Sequence, residues 1–172
     1  MGSRFALVLA VVGVTLAAIT ASGCGGPSAA EKQAKAAAAA HAAHLAAYRK
    51  CKTQMGPFLT ALQDLDSRLG VGLSFSDYGT RVGDVRVAHD AAPFDELGAA
   101  CLSKVAVPAE AALNAYVKTY NTWNDCFNND YCTTDSISPE LQVPWGTATG
   151  KVAKARAGLE QIRTGSGALT GT

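Results

Sequence analysis

The sequence predicts an all-α protein: an up-down four-helix bundle on an N-terminal Ala-rich helical stem, stapled by two disulfides. Three observations carry that prediction. Apolar residues recur at alternating three- and four-residue spacing over long stretches, as one buried helix face requires. Pro27 to Ala47 is Ala-rich and low in complexity, which favours helix. Cys51, Cys101, Cys126 and Cys132 pair most simply if the helices fold back on one another.

The first stripe runs Ala37, His41, His44, Tyr48, Cys51, Met55, Phe58, Leu62, Leu65, Leu69. It describes one long helix, with the packed part beginning near Tyr48. Pro57 removes a backbone donor and is expected to kink or restart that helix. Gly70 stands where a C-cap glycine belongs.

Two readings compete for Val71 to Asp90. A helix capped by Ser74 or Ser76 puts Tyr78, Val82, Val85 and His89 on one face. A hairpin would use "VGLSF" and "DVRVA" as short strands. Gly79 and Gly83 would let another helix approach, at about 1 kcal/mol each relative to alanine. The helix is preferred, partly through the cysteines.

Pro93 is expected to open the next helix, with Phe94, Leu97, Cys101 and Val105 on one side. Pro108 kinks or restarts it, and Leu113, Tyr116, Tyr120, Trp123 and Phe127 continue the stripe. The polar turn "CFNNDYC" follows. Ser138-Pro139-Glu140 reads as the start of the last helix, with Pro144 able to delay it by a turn. That helix carries Leu141, Trp145, Ala148, Val152, Ala155, Leu159 and Ile162 without a miss. Thr164 to Thr172 has no periodicity and reads as a flexible tail.

The expected cysteine pairs are Cys126–Cys132, which closes the polar turn, and Cys51–Cys101. If Ser76 to Asp90 runs back along Pro57 to Leu69, the chain returns to the level of Lys52 and Cys101 meets Cys51. If Val71 to Asp90 were only a loop, Cys101 would face Gln63, about 18 Å away along the axis. The bridge therefore favours four helices over three.

Before the first stripe lies a segment of another kind. Met1 to Arg4 is short with one positive charge, Phe5 to Ala18 is apolar apart from Gly13 and Thr15, and Ile19 to Gly23 is small and polar. This is the layout of a secretory signal peptide. The apolar core falls short of the about 20 residues that span a bilayer. Ala21-Ser22-Gly23-Cys24 resembles the lipobox of bacterial lipoproteins, with Ala21 where that family usually has leucine. The resemblance implies cleavage before Cys24, a fatty diacylglyceryl group on its thiol, and anchoring outside the cytoplasm at a cell-envelope membrane. It also accounts for the odd cysteine count, leaving four cysteines to pair in an oxidising compartment. The expected organisation is a signal peptide over 1–23, the lipidated cysteine and stem over 24–47, the bundle over 48–163 and the tail over 164–172. The stretch "RLGVGLSFSDYGTRVGDVRVAHD" is similar to parts of uncharacterised exported proteins of GC-rich bacteria, and no functional residue transfers from them.

Without residues 1–23 the acidic and basic side chains balance at 14 each, but unevenly along the chain. Cys24 to Lys52 has five basic residues and one acid, whereas Thr53 to Glu140 has five basic residues and twelve acids. A basic stem beside a lipid anchor would be drawn to anionic headgroups. No basic cluster with interleaved aromatics is present, so nucleic acid is not an expected partner. No GxSxG, HExxH or glycine-rich phosphate loop occurs, and neither an enzyme nor a cofactor is implied.

Two candidate sites remain. Tyr116, Tyr120, Trp123 and Trp145 could line an apolar or glycan-binding groove, although an aromatic stripe at helical spacing is more often core. His41 and His44, three apart on one face, could share a metal, but no third ligand stands near them. The leading expectation is a non-enzymatic envelope module that works through protein contacts. A ligand carrier ranks second and a metal carrier third.

Overall fold

The computed structural model describes residues 26–166, and all regular structure among them is helical. Helix α1 spans Ala29–Leu69. Ser28 starts it: its Oγ accepts from the Glu31 amide at 3.2 Å, and its own amide donates to Glu31 Oε2 at 2.7 Å. This capping box satisfies two of the donors that a helix start leaves open. Every residue from Ala29 to Ala43 is exposed, so the stem is held by alanine propensity and its cap rather than by packing. Burial begins with the half-buried His44, Leu45 and Tyr48, and Cys51 is the first buried residue. Cys51, Met55, Phe58, Leu62 and Leu65 follow the expected stripe, joined by Leu59.

Pro57 lies inside α1, which does not restart there. It lies on the exposed side, as does Thr53, whose carbonyl loses its helical partner and can turn to water. Gly70 does occupy the C-cap, but with a right-handed φ of −63°. The reversal falls on Gly72, whose φ of 107° a side chain rarely tolerates.

The segment after the turn is a helix, α2, spanning Phe75–Asp90, and Ser74 is its cap through a 3.1 Å bond from the Asp77 amide. Tyr78, Val82 and Val85 are buried on the expected face. The two glycines differ. A Cβ on Gly79 would come within 2.8 Å of the Tyr120 ring, whereas one on Gly83 would meet nothing, so only Gly79 permits close approach.

The next helix does not open at Pro93. Phe94–Glu96 is a single 3₁₀ turn, and the helix proper begins at Ala99. We call residues 99–127 α3; it consists of Ala99–Cys101, a π-helical segment Leu102–Ala106, and Val107–Phe127. The α-helix resumes at Val107 after the π turn with Pro108 in its first turn, so the expected restart occurs without leaving helical structure. The missing amide of Pro108 would have bonded the Lys104 carbonyl, and the wide π turn lies immediately before it. The Lys104 carbonyl instead sits where a Cβ on Gly158 would have to be, so α3 and the last helix touch backbone to backbone there.

Helix α4 spans Thr134–Thr164, starting about a turn earlier than Ser138-Pro139 suggests. Thr133 and Ser136 form a capping box that outcompetes the later start signal. Pro139 and Pro144 lie inside the helix. The carbonyls they release belong to Asp135 and Glu140, both exposed, so water can satisfy them. Leu141, Ala148, Val152, Ala155 and Ile162 are buried as expected, with Trp145 and Leu159 half-buried.

The four helices form one core, in which α1 packs on α2 and α4, and α3 packs on α2 and α4. Cys51 and Cys101 are paired at disulfide distance with Cα atoms 5.6 Å apart, and Cys126 and Cys132 likewise at 5.2 Å.

Candidate functional site

The largest concentration of aromatic side chains lies where α2 begins and α3 ends. Phe75 stacks on Tyr120 with centroids 5.2 Å apart and planes 7° from parallel. Phe75 also meets Trp123 at 5.5 Å and Phe127 at 4.8 Å. Trp123 and Trp145 cross edge to face at 6.0 Å, and Tyr78 packs on both. Three of the four predicted residues, Tyr120, Trp123 and Trp145, are therefore brought together. Tyr116 is not in that cluster: it is wholly buried and turns its hydroxyl toward α1.

That hydroxyl donates to Asp66 Oδ1 at 2.9 Å, and the Thr149 hydroxyl donates to the same oxygen at 2.6 Å. The Tyr78 hydroxyl donates to the Tyr116 carbonyl at 2.9 Å. The network thus links all four helices. Burial pushes the Tyr78 phenol up to about 12. Burial and then the Asp66 carboxylate push Tyr116 up as well. Both stay neutral phenols at ordinary pH, which suits hydrogen-bonded fasteners and not acid–base chemistry.

The rings of Phe75, Tyr78, Trp123 and Trp145 pack on one another. Trp145 borders an open depression of about 370 Å³ that also takes in Asp66, Leu69, Gln142 and Thr149. Trp123 is not on its wall. The Trp123 and Trp145 Nε1 atoms are buried without a hydrogen-bond partner, a desolvation cost that ring packing has to offset.

Sequence reasoning missed Phe75, Tyr78 and Asp66 as members of this region. Phe75 and Tyr78 are three residues apart on α2 and were legible once that segment is read as helix. Asp66 carried no such signal, because its partners are 50 and 83 residues away.

His41 is exposed on the stem, and His44 is half-buried against Gly165. Among the described residues no group of three or more His, Cys, Asp or Glu side chains is placed to hold a metal ion. Cys24 and the expected signal peptide over 1–23 lie outside the described residues, as does the tail beyond Ser166. No helix among the described residues is long and apolar enough to cross a membrane. The chain matches no protein-family model, no curated protein and no solved structure.

Proposed function

We propose that this chain is a lipid-anchored, non-enzymatic module of the cell envelope, tethered through Cys24 and acting by contact with other proteins. The observation that carries this reading is the stem. From Ala29 to Ala43 it is exposed on every side, capped and helical, which spaces the head about 22 Å from whatever holds the residues before it. A stretch that buries nothing contributes nothing to the core, and its use is to set a distance. Lys32 and Lys35, near the start of the stem, suit a surface of anionic headgroups.

We infer an up-down-up-down order for the head. It is supported by residue pairs that run in opposite senses along neighbouring helices. Asp64 and Phe58 of α1 meet Arg81 and His89 of α2. Phe75 and Gly79 of α2 meet Phe127 and Tyr120 of α3, and Lys104 and Trp123 of α3 meet Gln161 and Trp145 of α4. The mutual packing of Tyr78, Trp123 and Trp145 favours action through the outer surface over storage of a ligand between helices.

The test is the intact mass of the chain from the membrane fraction, beside a Cys24→Ser variant. The expected result is a chain that lacks residues 1–23 and carries added acyl mass, with the serine variant unlipidated and released. A soluble native chain beginning with a free thiol would overturn the proposal.

A further inference from the structure

We propose that the end of the head opposite the stem is a docking surface for a polypeptide segment combining lysine or arginine with apolar side chains. This rests on reading the protein as a contact module and names the chemistry of the contact. The stem lies at the N-terminal end of α1, so the opposite end is where α1 turns into α2. Phe75 packs on Phe127, and Leu69 shares a depression with Trp145, so the α3–α4 turn lies at the same end.

That end leaves large apolar side chains in water. Val71 is 91% exposed, Tyr131 96%, Val143 72% and Phe127 62%. Phe127 packs on Phe75 at 4.8 Å, so this ring is backed by the aromatic cluster. Tyr131 is presented on a turn fixed by the Cys126–Cys132 pair and by a bond from its own amide to Asn129 Oδ1 at 3.0 Å. Rigid aromatic anchors of this kind lose little freedom on binding.

The charge around the patch selects the occupant. Residues 119–150 contain Asp125, Asp130, Asp135 and Glu140 and no Lys, Arg or His. All four acids are exposed and none is in an ion pair among the described residues. Asp135, and Asp77 of α2, sit in first helical turns and partly answer helix dipoles. Asp125, Asp130 and Glu140 have no such role. Arg68, the cation at this end of α1, is engaged by Asp64 at 2.9 Å. An end that exposes apolar side chains and carries unpaired carboxylates is complementary to a basic, apolar segment. Two such ends repel one another, so a second copy docked face to face is disfavoured.

The experiment titrates the full chain with a lysine–leucine peptide and, separately, a glutamate–leucine peptide of the same length, following backbone amide shifts. We expect shifts for the lysine peptide confined to residues 69–77 and 125–143. Affinity should fall about tenfold between low salt and about 0.5 M NaCl. Phe127→Ser with Tyr131→Ser should weaken binding about tenfold. Asp125→Asn, Asp130→Asn and Glu140→Gln together should abolish the preference over the glutamate peptide. All five substituted residues are exposed, and an unchanged far-ultraviolet spectrum verifies the fold. Equal binding of both peptides, shifts centred on the stem, or no binding at millimolar peptide would each overturn the proposal. The titration does not depend on lipid at Cys24, so its failure would leave the anchoring proposal standing, and the reverse also holds.

Discussion

Residues 29–43 and residues 51–65 belong to one helix, α1, but different forces keep them helical. The first stretch is exposed throughout and relies on alanine, a capping box and backbone hydrogen bonds alone. The second buries Cys51, Met55, Phe58, Leu59, Leu62 and Leu65 against three other helices. An isolated helix of stem length is marginal in water even when Ala-rich. The stem therefore borrows its nucleus from the head: the packed half fixes the first turns, and the alanines only propagate them. Damage should consequently travel outward from head to stem and hardly at all in the other direction.

The largest expected break in that comparison is Phe58→Ala. Phe58 is fully buried and meets the rings of His89 and Phe94 at 5.2 and 6.5 Å. Its loss should cost about 3–5 kcal/mol in urea denaturation, with stem and head signals lost together. The cysteine pairs come next. Cys51–Cys101 bridges a separation of 50 residues at the start of the packed half, and Cys126–Cys132 a separation of 6. Chain-entropy reasoning gives about 4 kcal/mol for paired serine substitution of the first and about 2 kcal/mol for the second. Equal midpoints for the two variants would contradict the assignment of the first as the main staple.

A smaller effect should appear in alkali. The folded state holds Tyr78 as a neutral phenol with its pKa up to about 12, above the unfolded value of about 10. That contribution is fully present below about pH 10 and is lost as the pH rises toward 12. Tyr116 shifts the same way. Melting temperature should thus fall more steeply over that interval in wild type than in Tyr78→Phe. The smallest effect is Ser28→Ala, which removes the cap of α1 at about 1 kcal/mol. Hydrogen exchange should quicken over the first turns of the stem, while the melting midpoint of the head stays where it was.

Much of the fold was legible in the sequence where one periodicity ran unbroken. The face of α4 from Leu141 to Ile162 and the packed face of α1 can be read directly, and so can the Cys51–Cys101 and Cys126–Cys132 pairs. Pro139 and Pro144 misled, because both lie inside the last helix and neither starts nor delays it. A proline breaks a helix when the carbonyl four residues earlier has nowhere to go. At Pro57, Pro139 and Pro144 that carbonyl is on an exposed residue, and at Pro108 it lies against Gly158, where any side chain would collide with it. Those outlets are tertiary facts that no local pattern records. The candidate site divides in the same way. Tyr120, Trp123 and Trp145 share a cluster because they lie on adjoining stripes, whereas Tyr116 was drawn away by Asp66, a partner visible only in three dimensions.

The continuity of α1 through Pro57 has a mechanical consequence. Stem and core share one backbone ladder from Ala29 to Leu69, so the head has no swivel of its own within that span. Each helical residue advances the azimuth by about 100°. Deleting a single alanine from the stem would therefore spin the aromatic tip by about that angle relative to the base, while removing a full turn would mostly shorten the mast and leave its facing nearly intact. Stem length thus encodes a compass bearing as well as a height.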